Sequence, residues 1–242
     1  YDQYLESIFS ENKSNSVNEL ILDLRYNPGG SINSALILAS LITGQFENDI
    51  FNTEEWNTEI QNYWINNNPE YLVNRFLSLE SSLNLNRVFI LTTRSSASAS
   101  ELIINCLDPY IDVIQIGTTT YGKYQASVTL YDSENFSNQN INPSHNYAIQ
   151  PLVLKTLNVL GITDYFNGIN PEYDFEEKVY NMGIIGDLNE PMLNFAMGLI
   201  NSRAEINIQP ETLEFVDDNF KFDFLKREMY IENKEIKIND GN

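Results

Sequence analysis

The stretch RVFILTTRSSASASELIINCLDPYIDVIQIG (residues 87–117) decides how this chain folds. RVFILTT (87–93) is an apolar run of strand length, and DVIQIG (112–117) is a second. Between them, SASELIINCL (98–107) carries apolar residues at helical spacing behind a string of small residues. Strand, turn, helix and strand in that order describe two parallel strands joined by a crossover helix.

The same grammar appears earlier. NELILDLR (18–25) reads as a buried strand, YNPGG (26–30) as a turn, and SINSALILASLITG (31–44) as an apolar helix. Ser31 is placed to cap that helix, and Gly44 stands just past its end. Two strand–turn–helix units imply an α/β core with a largely parallel sheet flanked by helices.

Working outward, DQYLESIFSENK (2–13) puts Tyr4, Leu5, Ile8 and Phe9 on one helical face. Residues 45–69, rich in Asn, Glu and Trp without a clear period, are expected to form an excursion from the core, a lid or small helical insert. PEYLVNRFLSLESSL (69–83) has a helical period. ASVTLYD and NYAIQPLVLKTLN read as strands around a polar loop at 133–145. DLNEPMLNFAMGLINSRA (187–204) reads as a helix capped by Asp187, with Glu190 completing a capping box. The tail LEFVDDNFKFDFLKREMYIENKEIKI alternates apolar and charged residues, as extra edge strands or a hairpin would. The expected division is a core over 1–203 and a C-terminal extension over 204–242 packed on it.

Composition narrows the function. With 34 acidic and 14 basic residues the formal net charge is −20, which argues against nucleic acid and against an anionic membrane surface. Cys106 is the only cysteine, so there is neither a disulfide framework nor a multi-thiolate metal site, and its apolar setting predicts a buried, inert thiol. No apolar run is long enough to span a membrane. Tyr1 is not a natural start residue, so the chain reads as a processed or trimmed piece.

The small hydroxyl residues before the 98–107 helix have two readings. Ser is a good N-cap and Ala a good helix former. Alternatively, one serine is a nucleophile and its neighbours are small so that substrate can approach. A nucleophilic serine needs a base and oxyanion donors. The sole histidine, His145, lies in the polar loop, and no G-x-S-x-G elbow surrounds any serine, so a Ser-His-Asp triad is disfavoured. A desolvated lysine can serve instead. Lys123, in GTTTYGKYQASV directly after an apolar strand, is the candidate; taken alone, it also fits a solvated surface lysine.

LILDLRYNPGG, SSASASELIINCL and IGTTTYGK, taken in order, resemble the C-terminal processing (tail-specific) family of serine proteases. That family shows D-L-R-x-N-x-G-G, then S-A-S-A-S-E, then T-[FY]-G-K. The resemblance covers roughly residues 1–200, and the PYIDV and LNEPML segments resemble its Bacteroidetes-type branch. It implies a Clp protease/crotonase-like α/β core and a Ser/Lys dyad that needs no metal or cofactor. Residue by residue, Ser98 matches the nucleophile and Lys123 the general base, while the Gly29 and Ala99 amides match the oxyanion hole. Arg25, Glu101 and Thr120 match supporting positions, and an Arg25–Glu101 ion pair holding the NPGG turn is expected; Ser96 and Ser100 are expected to supply space and helix caps.

Two positions depart from the family pattern. Pro109, beside Asp108, stands where some members carry an acid, and Ser127 stands where many carry Gln; Ser127 is placed to hydrogen-bond the Lys123 amine. No carboxylate-binding loop of a PDZ domain is visible. The resemblance implies a serine endopeptidase acting on unfolded or C-terminally tagged proteins, located in the cell envelope or exported. Protein or peptide substrates are its implied partners, and an oligomer stays open. A non-catalytic peptide-binding relative and a small-ester hydrolase remain the alternatives.

Overall fold

A computed structural model describes residues 1–201 and 229–231. In chain order, α1 (Asp2–Ser14), β1 (Ile21–Asp23) and α2 (Ile32–Thr43) lead to β2 (Ile50–Trp56) and α3 (Thr58–Asn67). A 3-10 turn (Pro69–Leu72) and β3 (Val73–Arg75) precede β4 (Arg87–Thr92), α4 (Ala99–Leu107) and β5 (Asp112–Gly117). Then come β6 (Gln125–Val128), β7 (Leu130–Tyr131), β8 (Ala148–Ile149), β9 (Leu152–Leu157) and β10 (Tyr173–Asp174). A second 3-10 turn (Val179–Asn181), α5 (Pro191–Ile200) and β11 (Met229–Ile231) complete the described elements.

The expected parallel sheet is present, in the order β1-β4-β5-β10, with every pairing parallel. β4 is central, and its pleat separates two faces. Val88 and Ile90 join the main core with α2 and α4, whereas Phe89 and Leu91 pack against Met192, Phe195 and Ala196 of α5. Helices therefore cover both sides, as burial of both faces of a parallel sheet requires. α2 is buried at Ile32 and throughout Ala35–Thr43, the pattern of a helix enclosed on all sides. Its caps stand where the sequence puts them: Ser31 Oγ accepts from the Ser34 amide, and Gly44 is the C-cap.

A second sheet runs β11-β6-β9-β2-β3, antiparallel except for β11, which lies parallel to β6 at the edge. It corrects the reading of 45–69 in part: α3 lies in that range, but β2 sits between β9 and β3, and Phe51 and Trp56 belong to the core. The strand was illegible because it buries a carboxylate: Glu54 is satisfied by Trp56 Nε1 at 2.9 Å and Asn74 Nδ2 at 2.9 Å. The helix expected over 69–83 is also absent; one 3-10 turn gives way to β3, and Phe76 packs edge-on against Phe51 and Tyr110. Glu190, not Asp187, caps α5, accepting from the Met192 and Leu193 amides, with Pro191 in its first turn. The tail strand at 229–231 is an edge strand as expected; the rest of the 204–242 extension lies outside the described residues.

Candidate active site

The turn between β4 and α4 sets Ser98 at the N-cap of α4 with φ 64° and ψ −116°. A non-glycine residue held there stores on the order of 1–3 kcal/mol and persists only because its surroundings fix it. Ser98 is fully buried, and its Oγ has no hydrogen-bond partner among the described residues. The Ala99 amide follows in the first turn of α4, where backbone N–H groups have no intrahelical acceptor.

Glu101 is the fixing element. One oxygen of its buried carboxylate, Oε2, accepts from the Ser98 amide at 2.7 Å and from the Lys123 amide at 2.8 Å. The backbones of the expected nucleophile and base therefore meet on a single atom. The other oxygen accepts from Thr120 Oγ1 at 2.6 Å and from the Gly122 amide at 2.5 Å. Burial pushes the Glu101 pKa up, and these four donors hold it back. Thr120 is itself fixed, since its Oγ1 accepts from the Ile169 amide at 2.7 Å. Lys123 is buried at 8% exposure. Gly122 is required next to it because a Cβ there would lie 2.4 Å from the Phe166 carbonyl oxygen, and its φ is +98°.

Gly29 packs directly on the serine. A Cβ on Gly29 would lie 2.6 Å from Ser98 Cβ and 2.8 Å from the Ala99 nitrogen, so only glycine brings the two loops this close. The Gly29 amide, expected to face an oxyanion, donates here to Asn27 Oδ1 at 2.9 Å. Asn27 went unremarked in the sequence, although an Asn two residues before a Gly in a turn is a recognisable signal. It joins the two loops: its carbonyl accepts from the Ala97 amide at 3.2 Å and from Ser100 Oγ at 3.0 Å.

Ser96 and Ser100 do more than the space and caps expected of them. Ser96 Oγ donates to the Leu24 carbonyl at 2.6 Å, and Ser100 Oγ also reaches Asn27 Oδ1 at 3.1 Å, so both fasten the serine loop to the chain leaving β1. The expected Arg25–Glu101 pair is not made. Arg25 instead meets Asp23 at 2.7 Å, Glu177 at 2.8 Å and Glu190 at 3.0 Å. Burial opposes its charge, but the three carboxylates outweigh burial and hold its pKa up. Tyr26 donates to the second Glu177 oxygen at 2.7 Å, and burial together with that carboxylate raises the phenol pKa.

The other flagged residues fall away from this cluster or stand at its edge. Ser127 is buried and donates to the Met229 carbonyl at 3.2 Å. Asp108 and Pro109 follow the far end of α4, roughly 15 Å of helix from Ser98. His145 lies in the polar loop against Asp132 at 3.1 Å. Cys106 is fully buried in α4, and burial pushes its thiol pKa up. Among the described residues no group of His, Cys, Asp and Glu is arranged to hold a metal ion. A cleft of about 420 Å³ opens beside the NPGG turn, lined by Asp23, Tyr26, Asn27, Pro28, Gly29 and Ile185.

Comparison with solved structures finds similar folds. A Bacteroides fragilis protein described as an S41 protease superimposes with a TM-score of 0.70 at 27% identity, over 85% of this chain and 50% of its own. A photosystem II D1 C-terminal processing protease superimposes with a TM-score of 0.51 at 17% identity, over 78% of this chain and 41% of its own. A Parabacteroides merdae protein described as a peptidase does so with a TM-score of 0.52 at 19% identity, over 83% and 56% respectively. The chain thus spans about half the length of these solved relatives. Comparison with curated protein sequences finds no match. The sequence model of peptidase family S41 matches residues 1–142, more than half of the chain, and the chain belongs to that family.

Proposed function

We propose that the chain is the catalytic part of a serine endopeptidase in which Ser98 and Lys123 form the dyad. The observation that carries this is the Glu101 carboxylate, which fastens the Ser98 and Lys123 amides to one oxygen while Ser98 Oγ is left without a partner. Lys123 is itself buried beside this clamp, where a general base is shielded from bulk water.

In the proposed reaction Ser98 Oγ attacks the peptide carbonyl carbon as neutral Lys123 Nζ takes the hydroxyl proton. The Ala99 amide holds the oxyanion, joined by the Gly29 amide once Asn27 Oδ1 releases it. Lys123 then returns the proton to the departing amine, leaving an acyl-serine, and water activated by the same amine hydrolyses it. Ser98 is fully buried, so a peptide carbonyl reaches it only when the residues packed around it move apart. Substrates of this kind are extended, unfolded or C-terminally tagged chains. A cell-envelope or exported location belongs to the same proposal; among the described residues no helix is long and apolar enough to cross a membrane.

The test is cleavage of casein between pH 6 and 10 by the parent chain, Ser98→Ala and Lys123→Ala. The parent should cut with a rate that rises with pH as the amine loses its proton, and each variant should lose at least about a thousandfold. Undiminished cleavage by either variant rejects the dyad.

A further inference from the structure

Resting on that reading, we infer that the cleft beside the NPGG turn is a substrate subsite for a basic side chain, a lysine or arginine near the scissile bond. The cleft adjoins the reacting serine through Gly29, which lines it and packs on Ser98. Its walls are mixed. Tyr26, Pro28 and Ile185 offer apolar surface, and Tyr26 and Ile185 are substantially exposed. Such surface suits the methylene stem of a long side chain.

The polar lining selects the head group. The Asp23 carboxylate already accepts from the Arg25 amide, Nε and Nη2, yet its side chain is 38% exposed, so a second cation can approach it from the cleft. The Tyr26 hydroxyl hydrogen is committed to Glu177, which leaves its oxygen as an acceptor. Asn27 Oδ1 likewise accepts, from Gly29 and Ser100; only Asn27 Nδ2 remains as a side-chain donor. Behind this lining, Asp23, Glu177 and Glu190 share the single guanidinium of Arg25, a formal excess of two negative charges. An acceptor-rich pocket backed by negative charge favours a cation over a neutral side chain of equal length.

The test uses Ser98→Ala as an uncut receptor and fluorescence polarisation of two unstructured peptides that differ only in one residue, lysine or norleucine. The lysine peptide should bind about fivefold tighter, the size expected of a part-exposed ion pair of about 1 kcal/mol. That preference should shrink as salt is raised. Asp23→Asn should collapse the lysine-to-norleucine ratio. Because Asp23 also supports Arg25, Ile185→Lys serves as a second variant: it adds a repelling cation at an exposed rim and should reverse the preference. Equal binding of the two peptides, or binding of neither, overturns the inference. Discrimination by Ser98→Ala with no cleavage by the parent would reject the proposed activity and keep the subsite. In the parent, casein cuts should cluster within two residues of lysine or arginine, and cuts without that bias also count against it.

Discussion

Replacing Glu101 by Gln changes one oxygen to an NH2 group of the same shape, and the hydrogen bonds around it determine the consequence. Four donors converge on the carboxylate: the Ser98, Lys123 and Gly122 amides and the Thr120 hydroxyl. A glutamine keeps one acceptor oxygen. If that oxygen serves Ser98 and Lys123, the new NH2 faces Thr120, whose hydroxyl can turn, and the Gly122 amide, which cannot. One buried N–H is then left facing another donor, at a cost of about 1–3 kcal/mol, less whatever is regained by no longer burying a charge. For a chain of this length that lowers Tm by about 3–10 °C. The effect on turnover should be larger, because the same atom registers the serine loop against the lysine turn, and a displacement of ~1 Å costs on the order of a hundredfold in rate. Thermal unfolding and casein cleavage by Glu101→Gln measure the two effects separately. Unchanged Tm together with undiminished cleavage would refute the clamp.

Gly29→Ala should be severely destabilising and inactive, since its Cβ would strike Ser98 Cβ, whereas Gly30→Ala, with nothing within 4 Å of its Cβ, should suffer only its unfavourable φ; comparable losses in the two variants would contradict this. Thr120→Val should cost about 1–3 kcal/mol by stranding the Ile169 amide, and Thr120→Ser should recover most of it in urea titrations. Cys106, Tyr110 and Tyr165 all have pKa values raised by burial. Their stabilisation is complete below the unfolded values of about 8.5 for thiol and about 10 for phenol and is lost as pH rises beyond them. The urea midpoint should accordingly fall between pH 8 and 11, and a flat profile would show these groups to be exposed. Cys106 should resist thiol reagents in the folded chain and react only as urea unfolds it.

Local features were legible in the chain alone. Apolar period, the Ser31 and Gly44 caps and the order of DLRYNPGG, SASASE and TYGK are properties of short segments, and the parallel core and the residues around Ser98 follow from them. Whatever depends on partners far along the chain needed the tertiary structure. Arg25 finds Glu177 and Glu190, which are 152 and 165 residues away, in place of the oppositely charged Glu101. Glu101 is taken up by donors around residues 98 and 120–123, because a buried carboxylate needs several N–H and O–H groups more than it needs one cation. β2 was hidden for a related reason. A strand that buries Asn52 and Glu54 shows no apolar alternation, and that burial is made tolerable by Asn74, brought across from β3 by folding, together with Trp56 of the same strand.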